Sequence, residues 1–177
     1  INMQNTNKTL IAYVSIIFSM IFWGISFVWT KELLNANFPV FLILTIRLAI
    51  ASLLMFTTFS LMGKLERIEK SDIPKFLLLT LFEPFLYFIG ENFSMHFVDA
   101  SFAAIMIALL PIVNPLALHI FNKDKLGWNL LFGAVISVVG IVIMSINPSG
   151  ELKISWQGTL LLLLAVVSGS GYGVILS

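Results

Sequence analysis

The sequence predicts an all-α fold, a polytopic membrane helix bundle with about six transmembrane helices. Three observations predict it. Of 177 residues, 59% are hydrophobic and only 11% charged, and the mean hydropathy is +1.01, far outside the makeup of a water-soluble domain. Several apolar runs are long enough to cross the ~30 Å hydrocarbon layer, which takes about 20 helical residues. Segments of roughly ten alternating residues, which a transmembrane β-barrel needs, do not occur.

Hydropathy, with breakers as punctuation, sets the elements in order. The first helix, α1, is expected at about Leu10 to Trp29. It follows a lone Lys8, continues through Trp23, and lacks a small-x-small cleavage site, so it reads as a retained helix and not as a signal peptide. α2 follows at about Phe38 to Leu61 and α3 at about Pro74 to Phe97. Between them, Ser71-Asp72-Ile73-Pro74 offers a capping residue and a proline near the first turn. α4 runs at about Ala100 to Phe121 and α5 at about Trp128 to Ile146. Asn147-Pro148-Ser149-Gly150 closes α5 and opens a turn, and α6 begins at about Gly158. The chain opens at Ile1, with Met3 as an alternative start, and stops at Ser177 inside an apolar run, so a fragment of a longer protein is expected.

Orientation follows from lysine and arginine, which short loops retain on the cytoplasmic side. Lys8, the cluster Lys64, Arg67, Lys70 and Lys75, and the pair Lys123 and Lys125 fall on one side, while the other has Lys31 and Lys153. The N-terminus is therefore expected in the cytoplasm. A net charge of +1 carries no basic tract for nucleic acid and no acidic tail. Without cysteine there is no disulfide, thiolate metal site or cysteine nucleophile. His96 and His119 lie at opposite faces with no third ligand at helical spacing, so no metal site is expected, and no motif implies a soluble cofactor.

Some residues do not belong in lipid. Arg47 lies well inside α2, where an arginine facing lipid costs at least ~2.5 kcal/mol, so it should face the bundle interior. Glu83, Tyr87 and Glu91 follow one another at four-residue spacing on one face of α3. By rise per residue Arg47 lies at a depth between the two carboxylates, and can pair with either. Such a group reads as a polar cavity in which one carboxylate neutralises Arg47 and the other exchanges a proton, or as a structural ion pair that orders the bundle.

Pro84 in α3, and Pro111 and Pro115 around Asn114 in α4, each free a carbonyl one turn earlier. Leu110 to Pro115 is accordingly a candidate cavity-lining segment, or a kink whose Asn114 bonds across a helix interface. Small residues recur at helical spacing, namely Ala100, Ala104 and Ala108 on α4, Gly133, Ser137 and Gly140 on α5, and Gly169 and Gly173 on α6. These are expected to be close-packing faces. Trp23-Gly24 in α1 is echoed by Tyr172-Gly173 in α6, five helices later, so a second copy would be inverted in the membrane.

Phe22-Trp23-Gly24-Ile25-Ser26-Phe27 running to Lys31, Pro39 followed by Arg47-Leu48, Ala103 to Pro111, Asp124-Lys125-Leu126, Gly133, and Val139-Gly140-Ile141 together form a pattern over about 150 residues. With it the chain resembles the EamA-type permeases of the drug/metabolite transporter superfamily. The resemblance implies two inverted five-helix repeats around a central cavity, both termini cytoplasmic, in the cell (inner or plasma) membrane. Residues 1–150 would be the first repeat and 151–177 the start of the second, with four helices absent. Asp124 departs from the family's usual glutamate, and Glu83 and Glu91 are not general family features.

The function expected is that of a secondary transporter, an exporter of small metabolites or drugs working by alternating access, and not an enzyme. Trp23 and Tyr87 would supply aromatic walls, Arg47 would attract an anionic group or hold a carboxylate, and Asn92 and Asn114 would supply hydrogen bonds. Glu83 or Glu91 would carry the proton. Lys31 would pair with Glu32 or Asp99 as a gate, or extend to the interface as a snorkelling lysine. The expected partners are the lipid bilayer, a small-molecule substrate, protons and a second copy of the chain in a homodimer. The alternative is a membrane-embedded scaffold or enzyme subunit without transport activity.

Overall fold

The computed structural model describes residues 3–123, 127–145 and 155–177, and all its regular elements are helical. Asp124-Lys125-Leu126, the Asn147 to Gly150 turn and Lys153 lie outside the described residues.

Six helices appear in the expected order. α1 spans Met3–Asn35 and α2 spans Val40–Leu61. α3 covers Ile73–Ser94 and α4 covers Ala100–Asn122. α5 is Trp128–Ser145 and α6 is Trp156–Leu176. Five of them are long and apolar enough to cross a membrane, and α5 is a shorter apolar helix. This is a multi-pass membrane protein. Its lipid-compatible faces are plain on α2, where Leu53, Leu54, Met55 and Phe56 are all more than 60% exposed.

Turn chemistry explains where the helices stop. Asn37 adopts a left-handed φ of 63°, and Phe38 N–H returns to Leu33 O at 3.0 Å, which ends α1 in a geometry asparagine tolerates. Pro39 then sits extended just before α2. At the other end of α2, Gly63 takes φ of 64° while Lys64 N–H bonds Phe59 O at 3.0 Å, a glycine-terminated helix end. Ser155 caps α6 by accepting from Gly158 N–H at 3.3 Å. Asp72 behaves differently from the expected cap. Its backbone is already helical, at φ −92° and ψ −13°, so its carboxylate is not aimed at the first turn and instead meets Lys75 Nζ at 3.4 Å.

Two helices are interrupted where proline removes a hydrogen-bond donor. α3 breaks over Leu81–Leu86, with Glu83 extended at φ −142° and ψ 119° immediately before Pro84. α4 is regular over Ala100–Ile107, interrupted at Ala108, and resumes over Leu110–Asn122 with Pro111 in its first turn.

The centre of the bundle is α6, which packs against both halves of α3 and both halves of α4, while α1 lies on the first half of α4 and on α2. The core of Tyr87, Met95, Ala103, Ile107, Leu162, Ala165 and Val166 comes mainly from these seams. Glycine lets the backbones approach. A Cβ on Gly90 would run into Leu161 O and come within 2.9 Å of Ala165 N, so α3 and α6 touch main chain to main chain. On α6, Gly169 receives Leu110, Gly171 receives Phe82 and Gly173 receives Asn114. The small-residue face expected on α5 is not used in this way. Among the described residues, Gly133 and Gly140 have no neighbour within 4 Å of where a Cβ would stand, and the main packing partner of α5 is α4.

Candidate functional site

The break in α3 divides its charged residues. Glu83 stays at the break, half-buried, whereas the regular segment Tyr87–Ser94 carries Tyr87, Glu91, Asn92 and Ser94 into the interior. Glu91 is 1% exposed and Asn92 fully buried. A carboxylate in such a place needs a cation, a proton or several donors.

The cation comes from α2. Arg47 Nη1 lies 3.9 Å from Glu91 Oε1, within ion-pair range but beyond a hydrogen bond. Its guanidinium also sits 5.1 Å from the centre of the Phe88 ring, a cation–π contact that further stabilises the charge. Phe93 reaches the same helix through an edge-on contact with Phe41 at 5.5 Å. Of the two carboxylates that depth alone allowed, the structure therefore brings Glu91 to Arg47. Tyr87, one turn earlier, shares the Glu91 side of α3 and packs against Phe88 with ring centres 5.3 Å apart.

In the interior, several polar atoms lack partners among the described residues. Asn92 Nδ2 donates to Phe88 O at 2.8 Å and Ser94 Oγ donates to Glu91 O at 2.6 Å. Arg47 Nη1, Glu91 Oε2, Asn92 Oδ1, Asn114 Oδ1 and Ser170 Oγ are buried without a hydrogen-bond partner among the described residues. Buried polar atoms are nearly always paired with protein or water, so these five, on α2, α3, α4 and α6, are points where water or a further polar partner is called for.

The remaining expected residues fall in three places. Trp23 is half-buried on α1 with its ring 6.0 Å from Phe27. Asn114, on the resumed half of α4, fills the space left by Gly173. Lys31 goes neither to Glu32 nor to Asp99. Its Nζ donates to Met95 O at 2.6 Å and to Val98 O at 2.9 Å, holding α1 on the carbonyls where α3 ends. The sequence reading passed over Ser168 and Ser170, both buried on α6. Their signal was the small polar run Ser168-Gly169-Ser170 inside an apolar helix.

Comparison with known proteins bears on what this interior does. The sequence model of the EamA-like transporter family matches residues 10–146. An uncharacterized transporter of Archaeoglobus fulgidus is 28% identical over 137 residues, 77% of this chain and 48% of its own length. The uncharacterized transporter YdfC of Bacillus subtilis is 28% identical over 152 residues, 86% of this chain and 49% of its own. A second from that organism, YcxC, is 29% identical over 163 residues, 91% of this chain and 52% of its own. The chain thus spans about half the length of the curated relatives it matches. No solved structure matches it.

Proposed function

The chain belongs to the EamA-like transporter family, and on that premise we propose that it forms the first five-helix repeat, residues 1–150, and the opening helix of an inverted second repeat, residues 151–177, of a secondary transporter. The transporter exports a small metabolite or drug across the cell membrane by alternating access, with the N-terminus in the cytoplasm. The observation that carries this reading is the Arg47–Glu91 pair, 3.9 Å apart, whose Nη1 and Oε2, like the neighbouring Asn92 Oδ1, are buried without a hydrogen-bond partner among the described residues. A structural ion pair would be expected to have its remaining hydrogen bonds satisfied, since breaking even is hard without them.

Glu91 is the coupling carboxylate in this scheme. When Arg47 turns to another anion, Glu91 takes up a proton, because an unpaired carboxylate in apolar surroundings is unfavourable by several kcal/mol. Tyr87 and Trp23 wall the solute, and Asn92 and Asn114 offer hydrogen bonds to it. Lys31 closes one end by tying α1 to the end of α3, and that tie is released when the end opens. The test is proton-gradient-dependent transport by the full-length protein in proteoliposomes against a metabolite pool. Glu91→Gln is expected to abolish gradient-driven movement while the protein still inserts and folds, and Glu83→Gln to retain it. If both variants match the wild-type protein, the charges of α3 are structural and the reading fails.

A further inference from the structure

α1 and α6 are alike in sequence and opposite in packing. Ser19, Trp23 and Gly24 on α1 recur at the same spacing as Ser168, Tyr172 and Gly173 on α6. Laid on each other by that motif, Tyr13, Ile17 and Ile21 correspond to Leu162, Val166 and Ser170. On α6, which α3 and α4 cover, these residues are 0%, 2% and 3% exposed, whereas their counterparts on α1 are 63%, 58% and 51% exposed. Gly173 receives Asn114, but Gly24 has no neighbour within 4 Å among the described residues.

We propose that the stripe of Tyr13, Ile17, Ile21 and Gly24 on α1 is a docking surface for the third and fourth helices of the second repeat, in the part of the full-length chain that follows α6. The inference rests on the two-repeat transporter reading, and adds to it where the halves meet and through which residues.

The argument is one of reciprocity. Inverted repeats are related by a pseudo-two-fold axis in the membrane plane, and a contact across a two-fold occurs twice with the roles exchanged. α6 would open the second repeat, yet it lies against α3 and α4 of the first. The exchanged contact sets α1 against the counterparts of α3 and α4. The face of α1 that this contact requires is the one left uncovered, since every residue from Leu10 to Phe22 is exposed. Length agrees, because the chain matches about half of each curated relative, which leaves room for those helices. Exposure alone would not choose between lipid and protein, as lipid tails are as apolar as a neighbouring helix. The correspondence with α6 makes the choice, and it also says which face stays in lipid. Leu160 and Val167 are exposed on α6, and Ile11 and Phe18 correspond to them.

The experiment attaches a nitroxide to single cysteines at Ile17 and Phe18 of the full-length protein, on a cysteine-free background, with one protein molecule per lipid nanodisc. Collision with dissolved oxygen, which is soluble in lipid, is then read by electron paramagnetic resonance. The two positions differ in depth by only about 1.5 Å, so depth does not separate them. Oxygen collision at Ile17 is expected to be at least about threefold lower than at Phe18, because a close-packed interface has few voids to admit it. Equal collision at the two sites would place the stripe in lipid and overturn the inference. Protection that appears only with two protein molecules per disc would assign the stripe to a second copy and overturn it as well.

A label at a packed position can unfold the protein, so alanine truncation gives a second reading. Ile17→Ala should lower Tm by about 5 °C or more and Phe18→Ala by no more than about 1 °C, and equal shifts would again overturn the inference. A protected stripe in a protein that moves no solute would sink the transporter reading and leave the docking surface standing. Gradient-driven transport by a protein whose stripe is open to oxygen would do the reverse.

Discussion

α5 and α6 both carry small residues at helical spacing, yet the bundle treats them in opposite ways. On α6 every glycine from Gly158 to Gly173 has a neighbour pressed into the place of its missing side chain, while Gly133 and Gly140 on α5 meet none among the described residues. Spacing of small residues therefore states only that a helix can be approached closely. Whether it is approached depends on which helices reach it, and α6 is reached by α3 and α4 at once.

The largest test of that contrast is Gly90→Leu. Gly90 meets main-chain atoms of α6, which cannot move aside as a side chain can, so overpacking should cost about 3 kcal/mol or more. Thermal unfolding of the full-length protein in detergent should show a large fall in Tm or loss of folded material. An unchanged Tm would mean that α3 and α6 do not meet in the folded protein. Lys31→Met comes next. It removes two hydrogen bonds to the end of α3 from a half-exposed position, an expected loss of about 1–2 kcal/mol in the same assay. A variant as stable as the parent would show that the ammonium prefers the interface. Gly140→Ala is the smallest, and its sign is reversed. With no neighbour to displace, alanine should stabilise the helix by about 0.5–1 kcal/mol. A fall in Tm instead would reveal a partner packed on that face.

The element boundaries were legible because hydropathy and breakers dictate them. Val40–Leu61 and Ala100–Asn122 lie within two residues of the expected ends, and turns at Asn37 and Gly63 use residues that tolerate positive φ. α1 runs on past Trp29 to Asn35, because Lys31 and Glu32 are as compatible with a helix as the apolar residues before them.

The site was legible in part. Depth along two antiparallel helices placed Arg47 among the α3 carboxylates, but choosing Glu91 over Glu83 required knowing that the helix breaks before Pro84. Lys31 was harder. Its acceptors are backbone carbonyls sixty-four and sixty-seven residues away, and a carbonyl carries no signature in the sequence.

Lys31 also has a history within each molecule's lifetime. The ribosome delivers Lys31 long before Met95, sixty-four residues later, an interval of roughly 3 to 13 s at about 5–20 residues per second. Through that interval α1 holds an ammonium whose final acceptors do not yet exist, and the long stem must keep it at the headgroups. Those acceptors exist only once the end of α3 has been made, so the tie between α1 and α3 can close only after both helices are synthesised.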